Sequence, residues 1–161
     1  MMFSLIVCTY QRAEALNRLL ASVAIQTTYP YEILIIDGSK DLETQQSISS
    51  QTIRNLKYFK VEEKDRGLTL QRNFGIEKLN PKSEIVCFLD DDVILEPDYF
   101  EAVLEAFDSD IDIVGVGGVA TNENLWKPSS RKHSTDKVYV FEGFERSESQ
   151  RFYLRNNLCL Q

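Results

Sequence analysis

Long apolar runs are absent from this 161-residue chain. None approaches the roughly 18 consecutive apolar positions of a membrane-spanning helix, and residues 1–10 place no basic stretch ahead of a long apolar core, so neither an anchor nor a secretory leader is expected. Glycine and proline are scarce, at 7 and 4, which excludes collagenous and low-complexity chains. Positive charge is in the minority: 18 Lys and Arg against 25 Asp and Glu leave a net charge of -7. That balance excludes a nucleic-acid surface built on phosphate neutralisation, although an acidic protein can still hold a phosphate-bearing ligand through a metal. The one histidine, His133, has no Cys or His partner at metal spacing and reads as a surface or loop residue. Cys8, Cys87 and Cys159 are odd in number and far apart, two of them inside apolar strand-like runs. They read as buried, reduced thiols, which points to the cytoplasm.

What is there is 43% hydrophobic and 27% charged, the make-up of one ordinary globular domain that needs no disulfide or structural metal to close its core. Residues 3–10 are β-branched and aromatic, and Leu16, Leu19, Leu20 and Val23 follow at i, i+3, i+4 and i+7, predicting a strand and then a helix. Residues 32–36 form a nearly continuous apolar run, as in a strand covered on both faces, and stop at Asp37-Gly38-Ser39. A polar helix over 41–52, a strand over 56–61, a helix over 70–79 and a strand over 85–89 follow, the last ending in Asp90-Asp91-Asp92. Pro97 is expected in the first turn of a helix whose core face is Phe100, Val103, Leu104 and Phe107, and 111–119 is a fifth strand. Phe74 and Tyr99 read as core fillers. The fold class is therefore α/β, an open, mostly parallel sheet with helices on both faces, whose ligands sit outside the carboxyl ends of the strands. Beyond 121 the periodicity dissolves into a charged stretch, a short strand at 138–141 and an apolar finish at 158–161. Lys127, Arg131 and Lys132 read as a solvated basic loop.

The polar residues fall at strand ends: Thr9 and Tyr10 after the first, Asp37 after the second, Asp90, Asp91 and Asp92 after the fourth. They are expected to converge on one edge. Adjacent carboxylates repel, and an all-oxygen donor set suits a hard cation such as Mg²⁺ or Mn²⁺. The run 65–75 places Arg72 and Asn73 in the opening turns of a helix, facing the same edge.

Four stretches in register, Val7-Cys8-Thr9-Tyr10-Gln11-Arg12, the strand end at 36–41, the glycine-bounded run 67–75 with Arg72-Asn73, and 88–97 with its three aspartates, resemble the family 2 glycosyltransferases of the GT-A fold. The resemblance covers roughly residues 3–120. It implies a half-Rossmann sheet binding a nucleotide-diphosphate sugar, with an Asp-x-Asp motif holding a divalent cation, Mg²⁺ or Mn²⁺, on the diphosphate. Carried over residue by residue, it places Thr9 and the Tyr10 backbone beside the nucleoside, Asp37 on the base edge and Arg72 near the base. Asp90 and Asp91 face the ribose, and Asp92, together with Asp90, the metal. A uracil imide N–H is a donor that Asp37 can accept, so a UDP-sugar is favoured, and ribose hydroxyls can each donate to a carboxylate. The acceptor implied is a glycan or a lipid-linked molecule, with peripheral membrane association allowed, and an inverting displacement needs no covalent intermediate.

The sequence departs from the family in two places. The turn after the second strand reads Asp-Gly-Ser, without the further polar residue usual there, leaving Asp37 as its one acid. A general base is expected well downstream of the aspartates, beyond Gln161, with Asp136, Glu142 and Glu145 as weaker candidates. The expected division is a nucleotide-sugar-binding portion over 1–120 and the start of an acceptor-side region, cut short, over 121–161. Competing readings are a sugar-nucleotide-binding domain with nucleotidyltransferase chemistry, a haloacid-dehalogenase-type phosphatase and a receiver-like regulatory domain. The phosphatase wants its motif on an early strand, and the receiver wants acids after the first strand, where this chain has Cys8-Thr9-Tyr10. A calcium loop fails because Ile94 and Leu95 stand where an oxygen ligand and Gly belong.

Overall fold

A computed structural model describes residues 1–118, together with the backbone of two short strands at 138–142 and 154–155. The elements run β1 Phe3–Thr9, α1 Ala13–Ala24, β2 Glu32–Asp37, α2 Glu43–Ser49, β3 Leu56–Lys60, a 3-10 turn Glu63–Asp65, α3 Leu68–Glu77, β4 Ile85–Asp90, α4 Tyr99–Ser109, β5 Ile113–Gly118, β6 Val138–Glu142 and β7 Leu154–Arg155. Among the described residues the sheet order is β3-β2-β1-β4-β7-β5-β6, with β5 and β6 antiparallel and the other pairs parallel. The chain steps outward from β1 to β2 and β3, then crosses back to lay β4 on the other side of β1. The order therefore reverses between β1 and β4, and a crevice opens beyond their carboxyl ends.

Alternate strand residues feed two cores, because successive side chains point to opposite faces. Leu5, Val7, Ile33, Ile35, Cys87 and Leu89 pack under α1, α2 and α4 with Leu16, Leu19, Val23, Ile48, Phe100, Val103 and Phe107. Ile6, Leu34, Ile36, Val86 and Phe88 face the other way, where Phe74, Ile76 and Leu79 of α3 and its end cover them. β2 is buried along its whole length, which is why its sequence does not alternate. Gly75 lets α3 approach closely: a Cβ there would lie 2.9 Å from Cγ2 of Ile6 and 3.3 Å from Cγ1 of Ile36.

Three expectations need correction. Pro97 lies outside the first turn of α4, which begins at Tyr99; the Pro97 carbonyl accepts the Thr27 N–H (2.9 Å), and the Gln26 side chain bridges the Glu96 carbonyl (2.7 Å) and the Phe100 N–H (3.2 Å). β5 begins at Ile113 and not at Ile111, because the Asp110 carboxylate takes the Asp112 N–H (2.9 Å) in a tight turn that leaves Ile111 exposed. Leu104 is only partly buried beside the core formed by Phe100, Val103 and Phe107. Cys87 is fully buried and Cys8 partly so, both as free thiols, with burial pushing the Cys8 thiol up to about 12. None of the described helices is long and apolar enough to cross a membrane.

Candidate functional site

Register alone brings the polar strand ends together: Thr9 pairs with Asp37, and Cys8 with Asp90. The Thr9 side chain is buried and its hydroxyl donates to Asp91 Oδ2 at 2.7 Å. The Thr9 carbonyl accepts the Gly38 N–H (3.0 Å) and the Gln71 amide (3.1 Å). Tyr10 is exposed, and the chain then turns through a positive φ of 53° at Gln11, whose N–H donates to the Ser39 hydroxyl at 2.8 Å. The β1 and β2 ends are thus laced into one ridge.

Asp37 ends β2 and is wholly buried. Its Oδ1 accepts the Ser39 N–H at 2.7 Å and its Oδ2 accepts the Tyr58 hydroxyl at 2.6 Å. Burial, and then the adjacent Asp37, push the Tyr58 phenol well above its ordinary range.

The three aspartates after β4 diverge. Asp90 is half-buried against Arg72, at 3.3 Å, and Arg72 also lies over the Phe88 ring. Burial raises the Asp90 pKa above the usual aspartate value; Arg72 pulls it down, while Asp92 and Asp91 push it up. Asp91 is turned inward, its side chain 8% exposed, held by Thr9 and by Arg12 at 3.3 Å. Asp92 points outward, 52% exposed, with Arg12 at 3.0 Å. Asp91 and then Asp92 raise the Arg12 pKa above its ordinary value. Beside Asp92 lies an open depression of about 460 Å³ bordered by Gln11, Arg12, Glu14, Arg18 and Glu43.

The model of Glycosyl transferase family 2 matches residues 4–160. The chain belongs to this family. It is 29% identical over 146 residues to the glucosyl-dolichyl phosphate glucuronosyltransferase of Haloferax volcanii, covering 89% of this chain and 45% of that protein. Among solved structures it is similar to residues 1–349 of TarS from S. aureus in complex with UDP-GlcNAc, with TM-score 0.67, 24% identity, and coverage of 86% of this chain and 45% of the other. It is also similar to the mannosyltransferase PcManGT from Pyrobaculum calidifontis in complex with GDP-Man and Mn²⁺, with TM-score 0.61, 21% identity, and coverage of 73% and 35%. These likenesses show the GT-A fold. The chain spans less than half the length of these relatives.

As a family 2 chain, the protein gathers at one edge Thr9, Tyr10, Asp37, Arg72, Asp90, Asp91 and Asp92. Among the described residues no three acid, imidazole or thiol side chains converge to hold a metal ion. A hard divalent cation bound with a diphosphate needs only one or two protein carboxylates, since phosphate oxygens and water complete its shell. The outward, half-exposed Asp92 carboxylate fits that requirement. Asn73 is exposed on α3.

Sequence reasoning passed over Arg12, Tyr58 and Gln71. Gln71 is buried and donates to the carbonyls of both Thr9 and Ile36 (3.1 and 2.8 Å), pinning α3 across two strand ends, while its Oε1 accepts the Gly67 N–H at 3.2 Å. Its signal was an amide beside Arg72 and Asn73 in the short helix that follows Gly67. His133, Lys127, Arg131, Lys132, Asp136, Glu145, Cys159, the run 158–161 and the side chain of Glu142 lie outside the described residues.

Proposed function

We propose that this chain carries the donor side of a divalent-metal-dependent, inverting glycosyltransferase that takes its sugar from a nucleotide diphosphate, UDP in preference, and acts in the cytoplasm on a glycan or lipid-linked acceptor. The observation that carries the reading is the crevice at the β1–β4 switch point. There one buried carboxylate, one half-buried and one exposed stand side by side within reach of two guanidiniums. The nucleotide sugars bound by TarS and PcManGT support the donor class, and the Mn²⁺ of PcManGT supports the metal.

On this reading Asp90 and Asp91 accept hydrogen bonds from the ribose hydroxyls, and Thr9 and Arg12 fix the Asp91 rotamer in advance. Asp37 orders the turn that faces the base; its carboxylate reaches a uracil imide N–H when the Tyr58 hydroxyl yields Oδ2. Arg72, held by Asp90, offers a planar cation beside the base. Asp92, together with Asp90, would hold the Mg²⁺ or Mn²⁺. When bound, that ion supplies counter-charge to the departing diphosphate. The base that takes the acceptor proton is assigned downstream of the acidic turn, outside the described residues. The free thiols Cys8 and Cys87 support a reducing compartment.

The test is a thermal-shift screen of UDP, GDP, CDP and dTDP with and without Mn²⁺, because a ligand that binds only the folded chain raises its stability. UDP is expected to give the largest rise, and mainly with Mn²⁺. Silence across all four would overturn the reading.

A further inference from the structure

Arg12 stands where the chain leaves β1, at the amino end of α1, and one guanidinium nitrogen serves two carboxylates. Its Nη1 is 3.3 Å from Asp91 Oδ1 and 3.0 Å from Asp92 Oδ2. The two contacts differ in kind. Asp91 is nearly out of water and has a second partner in the Thr9 hydroxyl. Asp92 and Arg12 are both more than half exposed, at 52% and 57%. A buried carboxylate cannot easily give up its cation, whereas an exposed ion pair is worth little and yields to a stronger ligand.

Charge decides what that ligand is. Arg12 and Arg72 together leave one unit of negative charge on the three aspartates, so the turn is nearly neutralised before any metal arrives. Arg12 occupies the outward carboxylate, the one whose exposure suits a divalent ion. The depression beside Asp92 gives the side chain room to withdraw.

We propose that Arg12 is a displaceable counter-cation of the acidic turn: it occupies Asp92 in the free chain, gives it up to a divalent cation, and keeps its hold on Asp91. This rests on the assignment of Asp92 to the metal. One consequence is an order of binding. The free chain holds Mn²⁺ weakly, because the ion must expel Arg12 and collects only carboxylate oxygens in return. With a nucleoside diphosphate present, phosphate oxygens and their charge offset the loss. Arg12 is thus a positioning residue that discourages metal binding without the donor.

The test is a titration of free Mn²⁺, followed by its electron paramagnetic resonance signal, on the wild-type chain, Arg12→Gln, Arg12→Lys and Asp92→Asn, each with and without UDP. Without UDP, Arg12→Gln is expected to bind Mn²⁺ about two- to fivefold more tightly than wild type, the range set by an exposed ion pair. Arg12→Lys should fall between them, since it keeps one positive charge on a shorter, differently shaped side chain that lacks the guanidinium. Asp92→Asn should lose the UDP-dependent binding. Should Arg12→Gln fail to fold, the lysine variant carries the test alone. Mn²⁺ affinity that is unchanged or weaker in both Arg12 variants, with Asp92→Asn still impaired, would overturn the counter-cation role and leave the metal assignment standing. If Asp92→Asn binds Mn²⁺ and UDP as wild type does, the underlying assignment of Asp92 falls instead.

Discussion

Asp37 and Asp90 occupy equivalent places at the ends of β2 and β4, the two strands that flank β1, yet their surroundings give them opposite energetic roles. The buried Asp37 is matched by the Ser39 N–H and the Tyr58 hydroxyl, so Asp37→Asn puts an amide where both oxygens now accept. We expect a loss of about 1 to 3 kcal/mol in urea unfolding; an unchanged midpoint would mean that the turn is ordered by other contacts. Asp90 is different, because its carboxyl is held above the usual value by burial and by Asp92 and Asp91, beyond what Arg72 recovers. The folded chain therefore takes up that proton more readily than the unfolded chain, and ionised Asp90 costs stability at any pH above its folded value. Asp90→Asn, which keeps an oxygen for Arg72, should raise the melting temperature at pH 7. The gain should disappear as pH falls below the ordinary aspartate range, and a gain that persists there would refute the electrostatic cause. The positions of these residues were legible in the sequence, because each aspartate directly follows an apolar run, 33–36 or 85–89. Their partners were not. Arg12 meets Asp92 across 80 residues and Tyr58 meets Asp37 across 21, and no local period encodes such contacts.

At the scale of elements, the edge is held in shape by α3. Gln71 satisfies the Thr9 and Ile36 carbonyls from the helix side, and Gly75 allows the close approach that brings it there. Gln71→Leu keeps the bulk but leaves both buried carbonyls without that donor. A destabilisation of about 1 to 3 kcal/mol is expected, with weaker uridine nucleotide binding as the β1 and β2 ends loosen. Chemical denaturation and a UDP titration on the same variant check both parts; full stability would show that water replaces the amide. Continuous apolar runs made β1, β2 and β4 readable, and the spacing of Leu16, Leu19, Leu20 and Val23 did the same for α1. β7 was not readable, since a two-residue strand inserted between β4 and β5 is too short to carry a period. The start of β5 was misplaced because Ile111 looks apolar on paper, while the Asp110 turn holds it outside the sheet.

Across the whole molecule, the order of strands decides what the charges do. A net charge of -7 spread over a surface would only repel a diphosphate. At the β1–β4 switch point three aspartates instead stand in one turn, balanced by Arg12 and Arg72, and on the proposed reading a cation joins protein to phosphate there. The family match and the shared fold agree with that architecture, and donor, metal and acceptor stand as proposals on it. The most direct measurement is calorimetric titration of UDP into the wild-type chain and into Asp92→Ala, with and without Mn²⁺. We expect Mn²⁺ to tighten UDP binding to the wild type by about tenfold, or 1.4 kcal/mol. We expect Asp92→Ala to lose that increment while unfolding at no lower temperature, because its removal relieves like-charge repulsion. UDP binding that ignores Mn²⁺ in the wild type, or that keeps its full Mn²⁺ dependence in Asp92→Ala, would contradict a metal-bridged nucleotide site at the end of β4.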